Sequence, residues 1–118
     1  VTGVDRDVPS VAEVGAWWGP VPDARHPGTR RTREGEVEVV GYDGKDLLLA
    51  AEAKWSRTPE DGDALAQLRS TVIHVPGYTP GVTRSAVYSR AGFTERFRRS
   101  AEDQGVILRT VEDLYTDA

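Results

Sequence analysis

Glu36-Val37-Glu38 and Glu52-Ala53-Lys54 are the two stretches of this chain whose residue types and spacing can do chemistry. Both lie on runs that read as neighbouring β-strands, and residues i and i+2 of a strand share a face. Glu36 and Glu38 are therefore expected on one face, and Glu52 and Lys54 on one face. Paired in register, the two strands bring three carboxylates and one ammonium onto a small patch. Crowded carboxylates repel unless a cation joins them, and hard divalent cations such as Mg²⁺ take oxygen ligands of this kind. A lysine beside them suits a phosphate or an attacking water. The layout is that of a metal-dependent phosphodiesterase.

A single Glu-x-Glu is most often a solvated strand face. Here the second motif ends an apolar run, where Glu and Lys rarely stand without partners. A tight hairpin joins the two motifs and forces them together.

The elements that position these residues follow from the surrounding pattern. Glu36 to Tyr42 alternates as a strand, with Val37 and Val39 on one face and Glu36, Glu38 and Val40 on the other. Asp43-Gly44 signals a hairpin. Asp46 to Trp55 is the next strand, and its run Leu47-Leu48-Leu49-Ala50-Ala51 marks burial on both faces. An earlier strand is expected near 12–18, stopped by Gly19-Pro20. Residues 20–35 then read as a long, mobile loop that carries Arg25, Arg30, Arg31 and Arg33.

After the motifs, Thr58-Pro59-Glu60-Asp61 predicts a helix start with Thr58 as the cap. Leu65, Leu68, Val72 and Val75 form its stripe, and Pro76-Gly77 ends it. Val82–Ser89 is a core strand. Thr94–Gln104 is a second helix, followed by Gly105 as a C-terminal stop. Val106–Arg109 is a short strand, and Thr110 caps a last helix over Val111–Tyr115. The order βββαβαβα implies a mixed sheet with helices packed on it, an α/β fold. Residues 1–10 read as a lead-in segment, and 11–118 as one domain.

Other features weigh less. Gln67 either faces solvent or leans over the sheet edge towards substrate. The arginines of the loop are either a solvated connection or phosphate contacts. Trp17-Trp18 offers aromatic faces to a base, although one core indole and one packed under the loop is the plainer arrangement. Gly41-Tyr42-Asp43-Gly44-Lys45 lacks the spacing of a phosphate-binding loop and reads as a turn. Arg96, Arg98 and Arg99 are balanced by Glu95, Glu102 and Asp103, as on an ordinary amphipathic helix.

Composition narrows the function classes. With 118 residues, 29% charged and 38% hydrophobic, the chain has the makeup of one globular domain. It has no cysteine, which removes disulfides, thiol nucleophiles and zinc–thiolate sites and fits the cytoplasm. Two histidines, His26 and His74, do not make a metal site. No apolar stretch reaches the roughly 20 residues of a membrane helix. The chain has no methionine and begins with Val1, so a longer parent protein is expected. The net charge of −4 argues against non-specific nucleic-acid binding, although a bound metal offsets part of it.

The chain resembles a known family at Gly15–Gly19, at Glu36–Val40 and at Glu52–Trp55. This succession looks like the C-terminal domain of archaeal-type AAA ATPases, within the PD-(D/E)XK nuclease-like superfamily. Ser89–Phe93 and Val111–Leu114 are also similar, so the resemblance covers roughly residues 14–116. It implies a restriction-endonuclease-like mixed sheet flanked by helices. It also implies Mg²⁺- or Mn²⁺-dependent hydrolysis of DNA and an ATPase module in the same longer chain. Glu38 matches the first metal-binding acid, usually Asp. Glu52 matches the second acid and Lys54 the catalytic lysine, with the Ala53 carbonyl completing the metal shell. Glu36 and Gln67 are accessory candidates. The alternative is a catalytically silent DNA-binding or interaction module of an AAA ATPase. Oligomeric state is not legible.

Overall fold

The computed structural model describes residues 8–23 and 25–110. In chain order these form β1 (Glu13–Pro22), β2 (Thr32–Asp43), β3 (Asp46–Lys54), α1 (Asp63–Val72), β4 (Arg84–Ser89), α2 (Glu95–Asp103) and β5 (Ile107–Thr110). The strands stand in sequence order across one sheet. β1, β2 and β3 are antiparallel; β4 joins β3, and β5 joins β4, in parallel. Parallel neighbours need a crossover, which α1 and α2 provide. The protein is therefore an α/β fold with a mixed sheet, as expected. The helix expected over 111–115 and most of the lead-in segment lie outside the described residues.

Both helices pack on one face of the sheet. Leu68 and Val72 of α1 meet Val37, Val40, Leu47 and Ala50. Ala64 and Leu65 of α1 join Phe97 and Ala101 of α2 over Val87 and Val106. The other face buries Leu49, Ala51, Ala86 and Ile107, with Val8, Val11 and Val39 packed against them. The apolar run of β3 is thus buried on both sides.

The β2–β3 hairpin closes on Asp43↔Asp46, leaving Gly44-Lys45 as the turn. Gly44 takes φ 62°, a left-handed conformation that favours glycine. α1 begins differently from the expectation. Thr58 does not cap it. Gly62 is the cap residue, and the Glu60 carboxylate accepts from the Gly62 and Ala64 N–H groups at 3.1 and 2.8 Å. Glu60 is held there by main-chain bonds to Gly92 and Thr94, which fix it beside the open helix end. α2 is capped by Thr94, whose hydroxyl accepts from the Phe97 N–H.

Both ends of the expected loop 20–35 are strand. β1 runs through Gly19-Pro20 to Pro22, paired with β2 as far as Pro22↔Thr32. β1 is a sheet edge, where proline is tolerated if its missing N–H faces away from the partner. Pro20 and Pro22, two apart, share that side. The connection shrinks to 23–31 and is tied by Asp23. Its N–H donates to the Arg31 carbonyl, its carbonyl accepts from His26, and its carboxylate accepts from the Arg25 N–H at 3.0 Å.

Candidate active site

β2 and β3 stop pairing before either strand ends. The last pair towards the open end is Val39↔Ala51, yet β2 extends back to Thr32 and β3 continues to Lys54. Residues 32–37 stay paired with β1 and form a two-stranded arm that leaves the sheet. β3 instead follows β4, with Glu52↔Val87 and Lys54↔Ser89 side by side. A cleft of about 440 Å³ opens between arm, β3 and α1. It is lined by Arg33, Glu34, Glu36, Glu38, Glu52, Lys54, Gln67 and Thr71.

Val37 and Val40 lie in the same helix-side cluster, which strict alternation forbids. The β1–β2 register slips between Gly15 and Trp17, opposite Val40 and Val37. This bulge accommodates one extra residue in β2. It corrects the expected face assignment: Val39 faces away from Val37, and Glu36 is uncoupled from Glu38. Among the described residues, no three His, Cys, Asp or Glu side chains form a group that could hold a metal ion. The expected three-carboxylate patch is therefore reduced to the pair Glu38 and Glu52, with Glu36 elsewhere on the cleft wall.

That pair sets the electrostatics. The Glu52 pKa is raised to about 8, first by burial, then by a hydrogen bond with the Glu38 carboxyl and by its charge. The Glu38 N–H, which also bonds the Glu52 carboxyl, and the Lys54 ammonium oppose the rise without cancelling it. Two carboxyls this close do not both ionise freely. The cleft as a whole carries four glutamates against Arg33 and Lys54. It favours a cation.

Six of the expected site residues meet here: Glu36, Glu38, Glu52, Lys54, Gln67 and Arg33. Gln67 is exposed and lies one helical turn from Thr71, on the cleft side of α1. Ala53 sits between Glu52 and Lys54, so only its main chain is available to the cleft side. Arg25, Arg30 and Arg31 do not line the cleft; they stand at the far tip of the arm. Arg25 pairs with Asp23, and Arg31 bonds His26. The Arg25 N–H, and then its guanidinium, hold the Asp23 carboxyl below the usual carboxylate range.

Two lining residues were not anticipated. Glu34 shares a face with Glu36, two residues on along the regularly paired part of β2. Thr71 is a polar residue inside the apolar stripe of α1 and is buried there, a signal the sequence does carry. Ser89, beside Lys54, buries a hydroxyl with no hydrogen-bond partner. Trp17 packs on the core as one tryptophan was expected to, but Trp18 is 57% exposed and not packed under a loop.

No family model matches the chain, and no curated protein does. Among solved structures, protein VC1899 from Vibrio cholerae is similar over 92% of this chain and 26% of its own, at 21% identity and TM-score 0.63. EndoMS in a complex with double-stranded DNA is similar over 82% of this chain and 36% of its own, at 22% identity and TM-score 0.48. The chain thus spans about a quarter to a third of the length of these structures. The likeness to VC1899 is one of fold: an α/β domain that occurs there within a much longer chain.

Proposed function

We propose that the domain hydrolyses phosphodiester bonds of nucleic acid, with DNA as the substrate, in a divalent-metal-dependent reaction. The observation that carries this reading is the Glu38–Glu52 pair beside Lys54, in an open cleft at the point where β2 leaves β3. We further propose the restriction-endonuclease-like, PD-(D/E)XK assignment. In support, a mixed sheet presents acid, then Glu-x-Lys, at a divergence of two strands.

The donor set fits a hard divalent cation. Two carboxyls compete for one proton, and removing that proton leaves paired negative charge that a cation satisfies. Mg²⁺ is commonly held by one or two carboxylates and several waters, so Glu38, Glu52 and the Ala53 carbonyl suffice. Bound there, Mg²⁺ or Mn²⁺ would lower the pKa of a water and offset phosphate charge.

The chain's own residues do the rest. Lys54 shares the Glu52 face and presents its ammonium where negative charge develops on the phosphate. Arg33, on the opposite wall, offers a guanidinium to a neighbouring phosphate. Gln67 and Thr71 line the helix side, where an amide and a hydroxyl can orient water. In the reaction, the water oxygen bonds to phosphorus, one phosphorus–sugar-oxygen bond breaks, and that oxygen takes up a proton.

We also propose that the domain works within a longer chain carrying an ATPase module, on the strength of the motif resemblance. Cleavage assays on single-stranded and duplex DNA with Mg²⁺ and Mn²⁺ test the central reading. Cleavage by wild type and none by Lys54→Ala supports it. DNA binding without cleavage, at any metal, supports the silent-module reading instead.

A further inference from the structure

The arm formed by β1 and β2 carries a second, shallower groove of about 370 Å³ around Trp18, Pro20, Thr32, Arg33 and Glu34. Arg33 and Glu34 line both this groove and the acidic cleft, so the two are continuous across β2. Trp18 is 57% exposed, although its neighbour Trp17 is packed on the core. It pairs across the strands with Glu36, itself a cleft residue. Trp18 therefore presents an uncovered indole on a paired strand, beside the Arg33 guanidinium that lines the same groove.

We infer that Trp18 is a stacking platform for an unpaired base of the nucleic-acid strand whose phosphate lies in the cleft, and that the preferred substrate presents single-stranded DNA. This rests on the nuclease reading of the cleft and deepens it. The groove meets the two requirements of single-strand binding: an aromatic face for a base and basic groups along the backbone path. Arg33 is the basic group that lines both groove and cleft, and Arg30 and Arg31 follow two to three residues away at the tip of the arm, Arg31 bonded to His26. A base stacked inside a duplex does not offer its face to an indole, so intact duplex gains nothing from Trp18.

The test measures anisotropy of a labelled oligothymidylate of about 20 nucleotides, and of a blunt duplex of equal length, with Ca²⁺ replacing Mg²⁺ to limit cleavage. Wild type is expected to bind the single strand more tightly than the duplex. Trp18→Ala weakens single-strand binding by about 5- to 100-fold and leaves duplex binding unchanged. Trp18→Phe restores most of the loss, because a ring remains. Trp18→Ala and Trp18→Phe both melt near wild type, since the indole is exposed. Single-strand binding by Trp18→Ala equal to wild type, or an equal loss on both probes, overturns the stacking role while the cleft chemistry stands. Wild type that cleaves DNA but prefers the duplex also overturns it. Wild type that neither binds nor cleaves either probe overturns both readings.

Discussion

The Glu52 carboxyl stands against Glu38 just past the last rung of the β2–β3 ladder, close enough for the Glu38 carboxyl to help raise its pKa. The strand divergence and the acidic pair are one feature. Where β3 stops pairing with β2, the two side chains come to line one cleft.

This pair makes the metal-free protein sensitive to alkali. The folded Glu52 pKa of about 8 lies above its ordinary value of 4.5. Between those values the folded chain holds a proton that the unfolded chain has released. The stabilisation is full below the ordinary value and is lost as pH rises through about 8. Melting temperatures followed from about pH 5 to pH 9 are expected to fall for wild type and to fall less for Glu52→Gln. Mn²⁺ should restore the alkaline end for wild type only, since its ligands must be deprotonated. Equal pH profiles for the two proteins contradict the shared-proton account.

Lys54 is separable from metal binding. Lys54→Ala is expected to abolish cleavage, keep the fold and still take up the metal. Its charge serves the phosphate, and it sits at the end of a strand whose core contacts come from Leu47 to Ala51. A cleavage assay paired with a metal titration reads both. Loss of metal affinity in Lys54→Ala would place the lysine in the wrong role.

The arm's tip tests the wider electrostatics. Replacing Arg30 and Arg31 with Ala should weaken DNA binding across sequences and flatten the dependence of affinity on salt, by about one to two released counterions. An unchanged salt slope leaves the tip as a plain connection.

Glu60 is a stability test away from the chemistry. Its carboxylate serves two N–H groups at the start of α1, and Gly62 supplies no side-chain cap. Glu60→Ala is expected to cost about 1 kcal/mol in chemical denaturation. A cost near zero would mean that water replaces the carboxylate there.

The sequence carried the element order through β5, the hairpin at Asp43-Gly44 and the meeting of Glu38, Glu52 and Lys54, because each rests on short-range pattern. Alternation, turn residues and a tight connection are local and leave few alternatives. What it did not carry depends on partners distant in the chain. The bulge between Val37 and Val40 arises from pairing with Gly15 and Trp17, and it separates Glu36 from Glu38. The α1 cap passed from Thr58 to Glu60 because Gly92 and Thr94 hold Glu60 in place. Residues 20–35 looked like a loop because proline, glycine and arginine dominate them. An edge strand can absorb the prolines, and the paired arm has no helix of its own to cover.

The central claim is that Glu38 and Glu52 together hold a divalent cation, and calorimetric titration of Mn²⁺ and Mg²⁺ into wild type and Glu52→Gln measures it most directly. Saturable binding is expected for wild type, tightening as pH rises towards about 8 as the shared proton is displaced. Glu52→Gln should show little or none, because an amide replaces the charged ligand. Binding by wild type no tighter than by Glu52→Gln contradicts the account.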